Sequence, residues 1–279
     1  MKRKKENKRP TILICLLLML IASLTFSVFN KKFDYFNSKN NNQIFSKMDI
    51  RKKHSHNDYL CGNPLNKAIG LNYNSVEADI YFLNPSYSMI SHFPFRSYGT
   101  MEALYLDPLR KYRNSIIDKH FMLWVDIKFL LKSQTEAFFN QFLSYPDLFK
   151  EKKTKKEKDC ISVVFTGFFI PEKELLNKYD GYCFDLDCSY PNDCSRSDWV
   201  TLKWNDLGDI DQNNGVQKER KDCSFYFESH GKDYIKFSEL INQLKLDNKK
   251  VRLRGIPESS HILECISKSG VDLIDLDLD

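Results

Sequence analysis

The 279-residue sequence predicts an α/β fold, a (β/α)8 TIM-type barrel with an N-terminal membrane-anchor helix before it. Three observations carry the prediction. Eight short apolar runs, rich in β-branched and aromatic residues, follow one another from about residue 51 to the end. Amphipathic stretches of helical period lie between them, and such alternation is what a barrel of parallel strands and covering helices requires. Ahead of this pattern stands a segment of 19 uncharged residues, 11–29, preceded by a basic cluster.

The basic cluster, KRKKENKR at residues 2–9, belongs to a tail spanning 1–10. It carries the whole formal charge of +5, and the rest of the chain sums to zero. The positive balance therefore belongs to a tail and not to a nucleic-acid-reading surface, and no nucleic-acid partner is expected. At roughly 1.5 Å per residue, TILICLLLMLIASLTFSVF crosses about 28 Å, close to a hydrocarbon core of about 30 Å. Residues 11–29 are thus expected to be a transmembrane signal anchor, a single pass that leaves the basic side cytoplasmic and the barrel lumenal or extracellular. A cleaved signal peptide, which would release a secreted domain, is the alternative. Residues 30–50, NKKFDYFNSKNNNQIFSKMDI, are polar and Asn-rich and read as a linker, so the barrel is expected over 51–279.

The strands follow in order. The approach to HSHND supplies the first, and SVEADIYFL (75–83), FMLWVDIK (121–128), ISVVFTG (161–167), YCFDL (182–186), WVTLKW (199–204), VRLRGI (251–256) and VDLIDLDL (271–278) supply the other seven. Several are almost continuously apolar, as strands buried on both faces are. Helices are expected within 101–117, within 133–149 with Ser133 as N-cap and Glu136 completing a capping box, within 235–250, and within 259–270 closed by Gly270. An open doubly wound sheet is the competing topology, but no GxGxxG follows the first strand. KEKKTKKEKD (150–159) reads as a solvated surface insertion. Ten glycines are few for so many turns. Of eight cysteines, Cys15 lies in the apolar segment; the other seven suit one or two local disulfides, and Cys183, Cys188 and Cys194 cluster without the CxxC pairs of a zinc site.

The chemistry gathers near the start of the barrel. In a strand, Glu77 and Asp79 of SVEADIYF point to one face. Paired carboxylates on a buried strand repel and resist desolvation, a conflict that a hard divalent cation, Mg2+ or Ca2+, resolves; the bland alternative is an exposed edge strand with two solvated acids. WVDIK repeats the device. Asp126 would supply a third metal ligand, and Lys128 either holds a phosphate oxygen or makes a simple ion pair. His54, His56 and His92 stand at strand or hairpin ends flanking the acidic strand, where two histidines around a metal-bound phosphodiester would serve as general acid and base. His120, His230 and His261 lack such company.

HSHNDY, the following PL..A, SVEAD, a Ser-His pair and TMEALYLDPL together resemble the fungal "altered inheritance of mitochondria protein 6" family and its bacterial relatives. That group is similar to the phospholipase C-like phosphodiesterases, which include glycerophosphodiester phosphodiesterases and the spider-venom sphingomyelinase D enzymes. The resemblance runs from about His54 to the end, returns at WVDIK, RLRGIPE and GVDLIDLD, and is weak over about 150–235. It implies a (β/α)8 barrel and metal-dependent phosphodiester cleavage. In glycerophosphodiester phosphodiesterases the first catalytic His precedes a motif Pro by eight residues; His56 and Pro64 have that spacing, which favours His56 over His54. The resemblance places the metal pair on Glu77 and Asp79, the second His on His92 and the acid-x-Lys pair on Asp126 and Lys128. The family's Arg-Gly is replaced by Asn57-Asp58, where Asp58 would add a further metal or His contact, and the hairpin before the second His reads Asn84-Pro85-Ser86-Tyr87.

The expected function is therefore a metal-dependent phosphoric diester hydrolase. Its partners would be a glycerophosphodiester or phospholipid headgroup as substrate and a membrane through residues 11–29. The alternative is a catalytically inactive, membrane-anchored barrel that serves as a binding or surface protein.

Overall fold

The computed structural model describes residues 53–84, 87–94, 96–117, 120–151, 160–168, 173–207, 223–257 and 259–277. The basic tail 1–10, the apolar segment 11–29, the linker 30–50, Pro85 and Ser86 of the hairpin, and 152–159 of the charge run lie outside the described residues. Among the described residues no helix is long and apolar enough to cross a membrane.

In chain order the strands are β1 (Lys53–His56), β2 (Ser75–Asn84), β3 (Tyr87–Ile90), β4 (Gly99–Thr100), β5 (Met122–Leu130), β6 (Ser162–Gly167), β7 (Phe184–Ser189), β8 (Trp199–Lys203), β9 (Lys250–Arg254) and β10 (Leu273–Asp277). The sheet runs β1-β10-β9-β8-β7-β6-β5-β2, and a β1–β2 pairing closes it into an eight-stranded parallel barrel. All eight sequence-predicted strands are members. β3 and β4 continue antiparallel from β2. A closed sheet leaves its barrel strands no free edge, and the unit from Met48 to Leu278 contains that sheet and the core built on it.

The helices are α1 (Asn66–Gly70), α2 (Asp107–Ile116), α3 (Thr135–Leu143), α4 (Pro146–Phe149), α5 (Lys173–Leu176), α6 (Cys223–Glu228), α7 (Tyr234–Leu246) and α8 (Ser260–Lys268). A π-helical turn, Glu102–Leu106, leads into α2. α3 shows why these segments are helical. Phe138, Phe139 and Phe142 recur at helical spacing, are fully buried, and meet Phe165 of β6 at 5.9, 5.2 and 5.6 Å between ring centroids. Each such burial stabilises by about 1.5–3 kcal/mol. The expected cap at Ser133 is not formed. Ser133 sits inside a 3-10 turn, Lys132–Gln134, whose last residue occupies the N-cap position of α3 without a side-chain cap bond. Asp233 caps α7, accepting from the Ile235 and Lys236 amides at 2.9 and 3.1 Å. Ser259 caps α8, and Gly270 follows it at φ +93°, as read from the sequence.

The shortage of glycine has a structural answer. Asn57, Asn72 and Asn248 take positive φ, and asparagine tolerates the left-handed region better than other residues with a side chain. The cysteines form three bridges among the described residues, more than the one or two expected: Cys160–Cys183, Cys188–Cys194 and Cys223–Cys265. The third joins residues 42 apart in sequence, a pairing that only the packing of α6 on α8 brings about.

Candidate active site

Parallel register sets the site. Asp79 of β2 pairs with Asp126 of β5, and Asp126 with Thr166 of β6. Alternation then carries Glu77, Asp79, Asp126 and Lys128 to the same side of their strands. Beneath them Trp124, Val164, Trp199 and Leu273 form an apolar floor. The charged residues occupy the next layer toward the strands' C-terminal ends, where barrels of this kind carry their sites.

Each of the three carboxylates is held by one oxygen. Glu77 Oε2 accepts from Arg252 Nη2 and from His54 Nε2, the latter at 3.2 Å, while Oε1 faces His56 Nε2 at 3.9 Å. Asp79 Oδ2 accepts from Tyr59 Oη (2.9 Å), His92 Nδ1 (2.6 Å) and Lys128 Nζ (3.1 Å). Asp126 Oδ2 accepts from Lys128 Nζ at 2.6 Å. The other oxygens of Asp79 and Asp126 are buried and have no hydrogen-bond partner among the described residues. Such orphans are costly unless something fills the gap. Ligand atoms of Glu77, Asp79 and Asp126 lie within 4.8 Å of one another, a spacing that one cation with oxygen bonds of about 2.0–2.6 Å spans. Gly167, at φ +107°, keeps that space open, since a Cβ there would overlap Asp126 Oδ1 and the Ile127 backbone.

Electrostatics follow from this packing. Burial pushes the Glu77 carboxyl up, but the Arg252 guanidinium, with His54 and His56, outweighs it and holds Glu77 well below the usual range. Burial raises Asp126, and the charges of Glu77 and Asp79 add to it against Lys128. Burial would lower the Lys128 ammonium; Asp126 and Asp79 more than reverse that and keep it charged. Burial and Arg252 lower His54, so it stands as a neutral imidazole. Its Nε2–H donates to Glu77, and Nδ1 accepts from Ser75 Oγ at 2.8 Å.

The structure sorts the predicted residues. Glu77, Asp79, Asp126, Lys128, His56 and His92 converge. His54 is fully buried against Trp124 at 5.5 Å, where it orients Glu77, whereas the His56 and His92 side chains are 29% and 45% exposed at the open end. Lys128 makes the ion pairs of its plainer reading, with both acids. Asp58 does not join the metal or a His: it is buried in the turn, accepting from Ser55 Oγ at 3.1 Å and the Leu65 amide at 2.6 Å. Burial, only partly offset by these bonds, raises its carboxyl to about 6.

Sequence reasoning missed Tyr59, Arg252 and Asp275. Tyr59 Oη stands 3.1 Å from Asn57 Oδ1 and 3.4 Å from His92 Nδ1, so it ties the HSHNDY turn to the second His. Arg252 lies 4.4 Å over the Trp124 ring and donates to Asp275 through Nε (2.6 Å) and Nη2 (2.7 Å) besides Glu77. The signal was present: a charge inside an apolar buried strand, the argument that found Glu77, also marks VRLRGI and VDLIDLDL.

Across the barrel Asp187 of β7 is buried and accepts from Thr166 at 3.0 Å and Thr201 at 2.9 Å. Burial, against Arg252 and these bonds, raises it to about 6. A carboxyl raised above its unfolded value holds more protons when folded, so its contribution falls as pH climbs from about 4 to about 6, by on the order of 3 kcal/mol. Asp187→Asn is expected to remove that decline. Thermal melts of wild type and variant from about pH 4 to about pH 7 should diverge as pH rises; parallel profiles would mean that Asp187 is ionised throughout.

No curated protein matches the chain. Among solved structures, a glycerophosphodiester phosphodiesterase from Parabacteroides distasonis has a TM-score of 0.50 at 11% identity, over 83% of this chain and 94% of that one. One from Agrobacterium tumefaciens gives 0.46 at 11%, over 81% and 96%. A double mutant of the phosphatidylinositol-specific phospholipase C from S. aureus gives 0.45 at 14%, over 84% and 89%. At such identities the first likeness is one of fold, and it agrees with the barrel. The family comparison is more specific: residues 42–142 match the AIM6-like phosphodiesterase domain. Those residues hold His54, His56, Tyr59, Glu77, Asp79, His92, Asp126 and Lys128, so the segment that supplies most of the site is the part of the chain that is similar to the AIM6-like phosphodiesterase domain, and the likeness is to a phosphoric diester hydrolase.

Proposed function

We propose that the chain hydrolyses a glycerophosphodiester or a phospholipid headgroup, with a divalent cation, Mg2+ or Ca2+, held by Glu77, Asp79 and Asp126. The observation that carries this reading is the split role of Asp79 and Asp126, each with one oxygen fixed by protein donors and the other buried without a partner among the described residues, beside Glu77, whose carboxylate lies within 4.8 Å of theirs. Charge supports it. Among the described residues Glu77, Asp79 and Asp126 are paired with the fixed cations Arg252 and Lys128, so the three carboxylates outnumber the two cations and the site keeps a negative excess that suits a cation. When bound, such an ion neutralises charge on the non-bridging phosphate oxygens.

The chain's own groups do the rest. Asp79, accepting from Nδ1–H of His92, turns the Nε2 of that ring toward the substrate as a proton donor to the leaving oxygen. His56, whose Nε2 faces Glu77, takes a proton from the attacking water or substrate hydroxyl. Lys128 holds a phosphate oxygen beside its two carboxylates. The three disulfides support a place in an oxidising compartment, and the uncharged segment 11–29 supports a membrane tether there. The test is turnover of a panel of phosphodiesters by residues 48–279, with and without EDTA, beside His56→Ala. Metal-dependent cleavage that is lost in the variant is expected; cleavage that persists in both EDTA and the variant would overturn the site.

A further inference from the structure

Around one side of the barrel mouth the large apolar side chains are exposed. Phe168, just beyond β6, is 90% exposed, and Phe93, beside His92, is 64% exposed. Leu83 at the end of β2 and Phe129 and Leu131 at the end of β5 are exposed with them. Register makes this one region: Tyr81 and Phe82 of β2 pair with Phe129 and Leu130 of β5, and the Phe168 amide donates to Ile127 O at 2.9 Å. Phe93 joins it through His92, whose carbonyl accepts from Tyr81 Oη at 3.4 Å. Four separate chain segments thus place exposed apolar side chains on the face where the site opens, and apolar surface gathered at a site's mouth marks a place of interaction.

We propose that this rim seats on an anionic lipid surface, so that the site draws amphiphilic phosphodiesters from that surface. The inference rests on the phosphodiesterase reading for its chemistry and narrows its substrate class to lipid. Charge chooses the occupant. Residues 80–84, 92–96, 129–134 and 167–168 hold the cations Arg96 and Lys132 and no carboxylate, in a chain with 37 acids; both cations are exposed. Apolar side chains interleaved with cations match the interface of a bilayer bearing anionic headgroups. The rim is also continuous with the catalytic groups. The His92 ring meets Phe93 edge-on at 4.9 Å, so whatever covers Phe93 lies beside the proton donor. An uncharged 19-residue segment in the same chain would hold the domain near such a surface.

The experiment is sedimentation of residues 48–279 with vesicles of phosphatidylcholine containing about one third phosphatidylserine, together with turnover of a soluble aryl phosphodiester. The comparison variant is Leu131→Ser with Phe168→Ser; both side chains are exposed and outside the catalytic set. Wild type is expected to bind the vesicles, and the double variant to lose at least about tenfold in partitioning while keeping its soluble turnover. Soluble turnover without vesicle binding, or equal binding by both proteins, would overturn the lipid surface and leave the hydrolase reading standing. Vesicle binding without turnover of any phosphodiester would uphold the surface and overturn the hydrolase reading. Self-association in the absence of vesicles, abolished in the double variant, would assign the rim to a second copy of the chain and overturn the proposal.

Discussion

Glu77→Gln is expected to lower kcat/KM for phosphodiester cleavage by at least about a thousandfold, equivalent to about 4 kcal/mol of transition-state stabilisation. Glu77 sits where four groups meet: Arg252 and His54 on one oxygen, His56 and the shared carboxylate space at the other. The amide removes the negative charge from that space, so cation affinity should fall with activity. Binding of a cation to the folded state alone raises Tm by mass action, and the rise seen on adding Mg2+ or Ca2+ to wild type should shrink or vanish in the variant. Arg252 keeps its two bonds to Asp275, so the variant should fold. Wild-type activity together with an undiminished metal-induced rise in Tm would remove Glu77 from the site.

His92→Ala tests proton donation separately from metal binding. Loss of a general acid costs about 10^2–10^4 in rate when the leaving group is a poor one. An alkoxide such as glycerol needs the proton; a nitrophenolate does not. The variant is therefore expected to lose activity on a glycerophosphodiester by that factor and to retain most of it on a nitrophenyl phosphodiester. The pairing of His92 Nδ1 with Asp79 Oδ2 at 2.6 Å motivates the assignment, since it fixes the ring and leaves the far nitrogen to act. Equal losses on both substrates would reassign His92 to holding Asp79, a role it shares with Tyr59 and Lys128.

Much of this was legible before any fold was known, and the reason is periodicity. β2, β5 and β6 are so strongly apolar that SVEADIYF and WVDIK announce themselves as buried strands, and a carboxylate in such a run demands an explanation. That argument found Glu77, Asp79, Asp126 and Lys128, and strand parity put each pair on one face. The helix starts were less legible. Ser133 has the residue type of a cap, but the chain makes a 3-10 turn there first, and side-chain type does not say which of two turns wins.

The sequence by itself determined the eight strands, the acidic pairs at spacing two and the histidines at strand ends, because each depends only on residues a few positions apart. The tertiary structure alone decided what depends on closure of the barrel. It brings Arg252 to Glu77 across 175 residues and puts Asp275 against Arg252. It separates His54, sealed over Trp124, from His56 at the mouth, although the two stand two residues apart on one strand. It also sets Gly167 against the free oxygen of Asp126. Local spacing fixes which face a side chain takes. Which other side chains share that face, and how much water reaches them, is set by the pairing of β1 with β2 and β10, and no local pattern encodes that pairing.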